Sequence, residues 1–258
     1  ISIEAWVKTD GLGSRQTILD KGYSGSGEPY YQYHVEVRAG GEVYFALSLG
    51  GTRKTTQTST TLTAGQWHHI ACVYNGSTIK IYIDGIEESS TNATGSISTY
   101  STSLYIGAYS GPTPIGRFDG LIDEVRIWSD ERTASEISTN KSNELNGNES
   151  NLVGYYKFNE ADTNTVASNS ASATGASYDG ALTNMTGTEW TTSTAFPGTQ
   201  VSNALRFSGT PDYAKLPSGV YFNGDFTIEC WVYPTVFSNW SRIIDFGNGP
   251  SNNNVLLT

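Results

Sequence analysis

Asp123-Glu124, set in the run Leu121-Ile122-Asp123-Glu124-Val125-Arg126-Ile127-Trp128, is the nearest approach in this chain to a catalytic carboxylate pair. Two carboxyls cleave a glycosidic bond when one donates a proton and the other attacks or activates water, both flanking the same bond. Neighbouring residues on a regular strand project to opposite faces, so this pair is not expected to do so, and no enzymatic activity is expected. His68-His69 invites a metal reading, but the same alternation separates the two rings, and no Cys/His spacing completes a zinc set. Calcium takes carboxylates and carbonyls from loops without a fixed motif, and Asp20, Asp123 and Asp212 are the residues it would use. For Asp123 a second reading stands beside the metal: a buried carboxylate accepting hydrogen bonds from backbone or from Arg126. Tyr23, Tyr30, Tyr31 and Tyr33, in and beside a Gly/Ser-rich loop, could stack on sugar rings or simply pack in half-buried strands.

The chain has 258 residues, a formal net charge of −10, sixteen Tyr and six Trp, with Gly, Ser, Thr and Asn filling much of the rest. The acidic balance repels phosphate, which argues against nucleic acid and anionic membrane surfaces and leaves cations and neutral polymers. No apolar run approaches the ~20 residues that span a bilayer, so no membrane insertion is expected. Cys72 and Cys230 both sit in apolar strand patterns and read as buried thiols that do not pair with each other.

The elements that must position these residues are strands. Gly65 to Gly85 reads as two of them: Trp67, His69, Ala71 and Val73 alternate with His68, Ile70, Cys72 and Tyr74, Asn75-Gly76 supplies a turn, and Ile79, Ile81 and Ile83 alternate with a wet face of Lys80, Tyr82 and Asp84. Trp67 is expected to pack into the core. Further strands are expected at 1–8, 17–20, 31–38, 42–48, 103–107, 118–128 and 152–158. Thr133 with Glu136 forms the capping box of one short helix near 133–140. The fold class is therefore all-β.

An internal repeat organises the chain. Phe226-Thr227-Ile228-Glu229-Cys230-Trp231-Val232 matches Ile1-Ser2-Ile3-Glu4-Ala5-Trp6-Val7, and the stretch 242–247 matches 16–22 approximately, with Ile243-Ile244-Asp245 standing for Ile18-Leu19-Asp20. Two domains are expected: 1–198, lacking its first strand and carrying a closing extension from about 150, and 199–258, the front of a truncated second repeat. The chain thus reads as a fragment of a tandem protein, and residues 204–207 are expected to dock on the open edge of the first domain.

Four segments taken together carry a family resemblance: Ile3-Glu4-Ala5-Trp6-Val7, Gly65-Gln66-Trp67-His68-His69-Ile70-Ala71, Ile81-Tyr82-Ile83-Asp84-Gly85 and Gly120-Leu121-Ile122-Asp123-Glu124-Val125-Arg126-Ile127-Trp128. In this order they resemble the laminin G-like, pentraxin-like branch of the concanavalin A-type lectin/glucanase jelly rolls. The Glu-x-Asp-x-x-Glu pattern of the laminarinase-type relatives is missing. The resemblance implies a two-sheet antiparallel β-sandwich in a secreted or cell-surface multidomain protein, often with calcium at the rim. It implies no single activity, since lectins, adhesion modules and hydrolases share the fold. The expected function is a non-catalytic extracellular module that binds a glycan or surface polymer, with neighbouring tandem domains as further partners. The alternatives are a structural or adhesion repeat without a small ligand, and an accessory module of a secreted glycoside hydrolase.

Overall fold

The computed structural model describes residues 1–22, 27–109, 116–160 and 166–182, and two short strands further on. The chain divides into two compact units, Ile1–Leu205 and Arg206–Thr258. In the second, the described backbone is one antiparallel pair, Ile244–Phe246 with Val255–Leu257. Residues 204–207, and with them the expected docking, lie outside the described residues, as does Cys230.

The first unit is built on two antiparallel sheets. One has six strands: β1 (Ser2–Thr9), β6 (His68–Tyr74), β7 (Thr78–Ile83), β8 (Ile86–Asn92), β10 (Gly120–Trp128) and β11 (Leu152–Tyr156), in the order β11-β10-β1-β6-β7-β8. The other has five: β2 (Gln16–Gly22), β3 (Tyr31–Val37), β4 (Glu42–Leu49), β5 (Thr52–Thr61) and β9 (Leu104–Ile106), in the order β5-β4-β3-β2-β9. A small pair, β12 (Val166–Ala167) with β13 (Gly180–Ala181), follows. The period of two decides what lies between the sheets. Ile3, Ala5 and Val7 of β1, Ile70, Cys72 and Tyr74 of β6, and Ile79, Ile81 and Ile83 of β7 meet Val35 and Val37 of β3 and Val43, Phe45 and Leu47 of β4 in one core. Cys72 is a free, buried thiol, and burial pushes its pKa up.

Two strands lack the apolar signal that marks the others. β5 reads Thr-Arg-Lys-Thr-Thr-Gln-Thr-Ser-Thr-Thr and β8 reads Ile-Glu-Glu-Ser-Ser-Thr-Asn. They meet through hydroxyls: Thr56 Oγ1 lies 2.7 Å from Ser89 Oγ and accepts from Thr91 Oγ1 at 2.9 Å. Thr58 Oγ1 accepts from the Val43 backbone N–H at 3.0 Å. Threonine's branched Cβ suits the pleated sheet even where its hydroxyl takes the place of an apolar contact.

The outer face of the six-stranded sheet is covered. The helix α1 (Ala134–Asn140) starts on the expected capping box, with Thr133 Oγ1 accepting from Glu136 N–H and Glu136 Oε2 accepting from Thr133 N–H. Its Ile137 packs on Ala71, Val73 and Tyr82. Tyr82 is therefore buried under the helix, where a wet face was expected. Trp67 precedes β6 and is half-buried rather than seated in the core.

Backbone approach fixes Gly120, at the start of β10. Its φ is +138°, and a Cβ there would sit 2.1 Å from the Lys8 carbonyl oxygen on β1. Gly120→Ala is expected to lower the unfolding free energy by about 3 kcal/mol in urea titration, because clash and backbone strain add. Gly76→Ala, at a turn where a Cβ would meet nothing within 4 Å, pays the positive-φ cost alone and is expected to lose about 1 kcal/mol.

Candidate functional site

A β-bulge interrupts the alternation on which the reading of Asp123-Glu124 rested. Glu4 lies opposite Arg126 and Trp6 opposite Asp123, so Ala5 alone faces both Glu124 and Val125. Glu124 takes a φ of +51° to make this possible. The slip turns Ile122 and Val125 into the core and brings Asp123 onto the outer face beside Glu124, so the two carboxylates do not face apart. Glu124 is buried, and its Oε2 accepts from Arg126 Nη2 at 2.8 Å and from the Tyr155 hydroxyl at 2.6 Å. Arg126 also donates to the Asn140 and Asn143 carbonyls, at 3.0 and 2.6 Å. Alongside, Glu4 accepts from the Trp128 indole at 2.7 Å and lies 3.3 Å from His69 Nε2. These contacts fasten the helix and the chain after it to the sheet, with Glu124 2% exposed among them. Asp123 is half-buried, accepts from the Glu124 N–H at 2.9 Å, and is pushed up to about 7 by burial and then by the charge of Glu124.

The five-stranded sheet presents its other face quite differently. Tyr33, Val35 and Val37 point into the core, so Gln32, His34 and Glu36 of β3 point out. Asp20 of β2 lies opposite His34 in the sheet and opposite Tyr105 of β9, which puts all three on this face. His34 Nδ1 is 2.8 Å from Asp20 Oδ1, and its Nε2 is 3.3 Å from Glu36 Oε2, with all three side chains buried. Burial works against charge on His34, but the hydrogen bonds to Asp20 and Glu36 outweigh it and raise the pKa. Glu36, despite its burial, is held down to about 2 by His34 and by Arg15, whose guanidinium reaches both carboxylate oxygens, at 2.7 and 3.2 Å. Arg38 adds a contact at 2.8 Å to Glu36 and lies 4.0 Å above the Tyr44 ring.

Aromatic rings roof this charged floor. Tyr31 stacks on His34 with centroids 4.3 Å apart and planes 14° apart, and Tyr109 meets both rings edge-on. Tyr30, 37% exposed, sits 6.1 Å from Tyr31. Arg53 of β5 lies 5.4 Å from the Tyr30 centroid and is paired with Glu28 at 2.8 Å. Glu28, Gly51, Thr52 and Arg53 line a shallow cavity of about 320 Å³ at this end of the sheet. Next to it, hydroxyls of Ser48, Ser98 and Tyr100 form a hydrogen-bonded group that also receives the Gly51 N–H.

Of the residues singled out from the sequence, Tyr30 and Tyr31 belong to this face, Tyr30 at the surface and Tyr31 beneath it. Tyr33 lies in the core between the sheets, which removes it as a stacking platform; its parity on β3 is that of Val35. Asp20 is fully buried against His34 rather than at a rim. Tyr23 and Asp212 lie outside the described residues. Among the described residues no three His, Cys, Asp or Glu side chains gather where a metal ion could sit. Glu28, His34, Glu36, Arg53, Tyr105 and Tyr109 were not foreseen. The outward parity of His34 and Glu36 was readable from β3 alone, whereas Arg53 sits in a strand that carries no apolar pattern.

Residues 1–138 match a family model described as the concanavalin A-like lectin/glucanases superfamily. The chain belongs to this superfamily. Among solved structures of the concanavalin A-like fold, a candidate carbohydrate-binding protein from Bacteroides ovatus is similar at 22% identity and a TM-score of 0.52, over 65% of this chain and 48% of that one. The chain thus spans about half the length of that relative. A pentraxin from Limulus polyphemus is similar at 18% identity and a TM-score of 0.43, over 54% of this chain and 67% of that one. The sialidase module CBM40 of Ruminococcus gnavus, solved with α2,3-sialyllactose, is similar at 17% identity and a TM-score of 0.47, over 54% and 80%. A comparison with curated protein sequences finds no match.

Asp123 gives this concanavalin A-like unit a measurable pH signature. Its folded pKa, about 7, lies above the ordinary value of 3.8, so the protonated form favours the folded state and stability falls as pH rises between those values. Asp123→Asn is expected to match the parent at pH 4 and exceed it at pH 8 by about 2 kcal/mol, roughly half the full linkage value because the carboxyl is only half-buried. Urea denaturation at the two pH values checks this.

Proposed function

We propose that the chain is a non-catalytic carbohydrate-binding module of a protein that works outside the cell or at its surface, and that it binds through the outer face of the five-stranded sheet. The observation that carries this reading is the contrast between the two outer faces. One is closed by α1 and the buried network around Arg126; the other shows Tyr30 beside the Arg53–Glu28 pair and the adjoining cavity. An aromatic ring offers the apolar C–H face of a sugar a platform, and a guanidinium–carboxylate pair offers donors and acceptors to its hydroxyls. The fold likeness to the candidate carbohydrate-binding protein of Bacteroides ovatus supports the same reading. A non-catalytic role is supported by the burial of Glu124 against Arg126 and Tyr155.

The test is saturable retention on an array of glycans. Tyr30→Ala and Arg53→Ala are each expected to weaken binding to the retained glycan about tenfold, with the melting temperature within a few degrees of the parent, because both side chains are partly exposed and outside the core between the sheets. Retention on no glycan would favour a structural repeat over a binding module.

A further inference from the structure

The tyrosines of the five-stranded face are not scattered. Tyr30 and Tyr31 have ring centroids 6.1 Å apart, and Tyr31 and Tyr109 have centroids 5.9 Å apart. On β9, Tyr105 is 43% exposed and lies opposite Asp20, whose carboxylate also acts on the Tyr109 hydroxyl. These side chains mark the face from strand to strand: Arg53 on β5, Tyr30 and Tyr31 where β3 begins, and Tyr105 on β9 with Tyr109 shortly after it. From β9 to β5 there are four strand-to-strand steps. At about 4.8 Å each they span about 19 Å, the reach of about four linked sugar rings.

The series is also rigid where it matters. Tyr31 is held flat on His34, which is fixed by Asp20 on one side and Glu36 on the other. Burial and the nearby charge of Glu36 push the Tyr31 hydroxyl up to about 12, so it stays a neutral donor. The three arginines of this face, Arg15, Arg38 and Arg53, stand against three carboxylates: Glu36, which pairs with the first two, Glu28, which pairs with the third, and Asp20 against His34. In a chain of net charge −10 that leaves no excess of positive charge here to attract a sugar acid.

Resting on the carbohydrate-binding reading above, we infer that the ligand is an internal stretch of a neutral polysaccharide, lying across the strands on Tyr30, Tyr109 and Tyr105, rather than a single terminal sugar or an acidic glycan. Tyr31 is the positioning residue that seats this track on the sheet.

The experiment uses the full chain in two stages. Immobilised xylan, arabinan, mannan, galactan, mixed-linkage β-glucan and polygalacturonate identify the retained polymer, and oligosaccharides of one to six rings cut from it are then titrated calorimetrically. Affinity is expected to rise at least tenfold from two rings to four and then level off. Tyr105→Ala should erase that gain while leaving binding of the two-ring ligand within twofold, a pattern that general unfolding would not give; Tyr105→Phe should keep it. Equal affinity for one ring and for six, an unchanged length dependence in Tyr105→Ala, or tighter binding to polygalacturonate than to every neutral polymer would each overturn the track while leaving the module a carbohydrate binder. Retention on none of the polymers, and on no glycan of the wider array, would overturn both readings together.

Discussion

Arg126 is a guanidinium with almost no contact with water, and the outer face of the six-stranded sheet supplies partners to its two terminal nitrogens. An unpaired charge in that position would cost several kcal/mol. Glu124 answers with a carboxylate, and Asn140 and Asn143 answer with carbonyls, which ties the end of α1 and the chain beyond it to β10. The bulge at Glu124 answers a second demand, that of the core. A flat strand would send Glu124 and Arg126 to the same face with the core residues Ile122 and Val125 on opposite ones. Inserting one residue at φ +51° lets Ile122, Val125 and Ile127 all reach the core while Asp123, Glu124 and Arg126 stay outside.

That arrangement leaves the two outer faces of the sandwich unlike. A sandwich buries the two inner faces of its sheets and has two outer ones to spend. Here one is used to anchor a helix, through a network whose members are acidic, basic and aromatic and yet have little freedom left for a ligand. The second carries a network of similar composition, Asp20, His34, Glu36 and Arg15, but its cover is made of tyrosine side chains rather than a helix. Similar chemistry therefore serves attachment on one sheet and support of an exposed surface on the other.

Much of the fold was legible in the alternation of side chains. Ile79, Ile81 and Ile83 were seen to face inward, the capping box at Thr133 and Glu136 was seen to start the helix, and the four segments of the family pattern fell on β1, β6, β7 and β10. Two kinds of residue were not legible. β5 and β8 interact through Thr and Ser hydroxyls, so no apolar period announces them, and Arg53 went unread with β5. Asp123 and Glu124 were assigned opposite faces because nothing in the letters Leu-Ile-Asp-Glu-Val marks a bulge; it exists because β1 offers one residue where β10 offers two. Tyr33 was grouped with Tyr30 and Tyr31 by composition, although the positions of Val35 and Val37 already placed it inside. The aromatic series needed β9 beside β2, a pairing between positions far apart in the chain.

The hydroxyl seam between β5 and β8 gives the sandwich a hinge side and an opening side. Elsewhere the sheets are joined by hydrocarbon, whose exposure to water is costly and rises with every Å² uncovered. Along Thr56, Ser89 and Thr91 the groups that would be uncovered can trade their partners for water at little net loss. Thermal fluctuation is therefore expected to part the sheets at this margin first, as a book opens at its fore-edge, with amide protons of β5 and β8 exchanging sooner than those of β1 and β6.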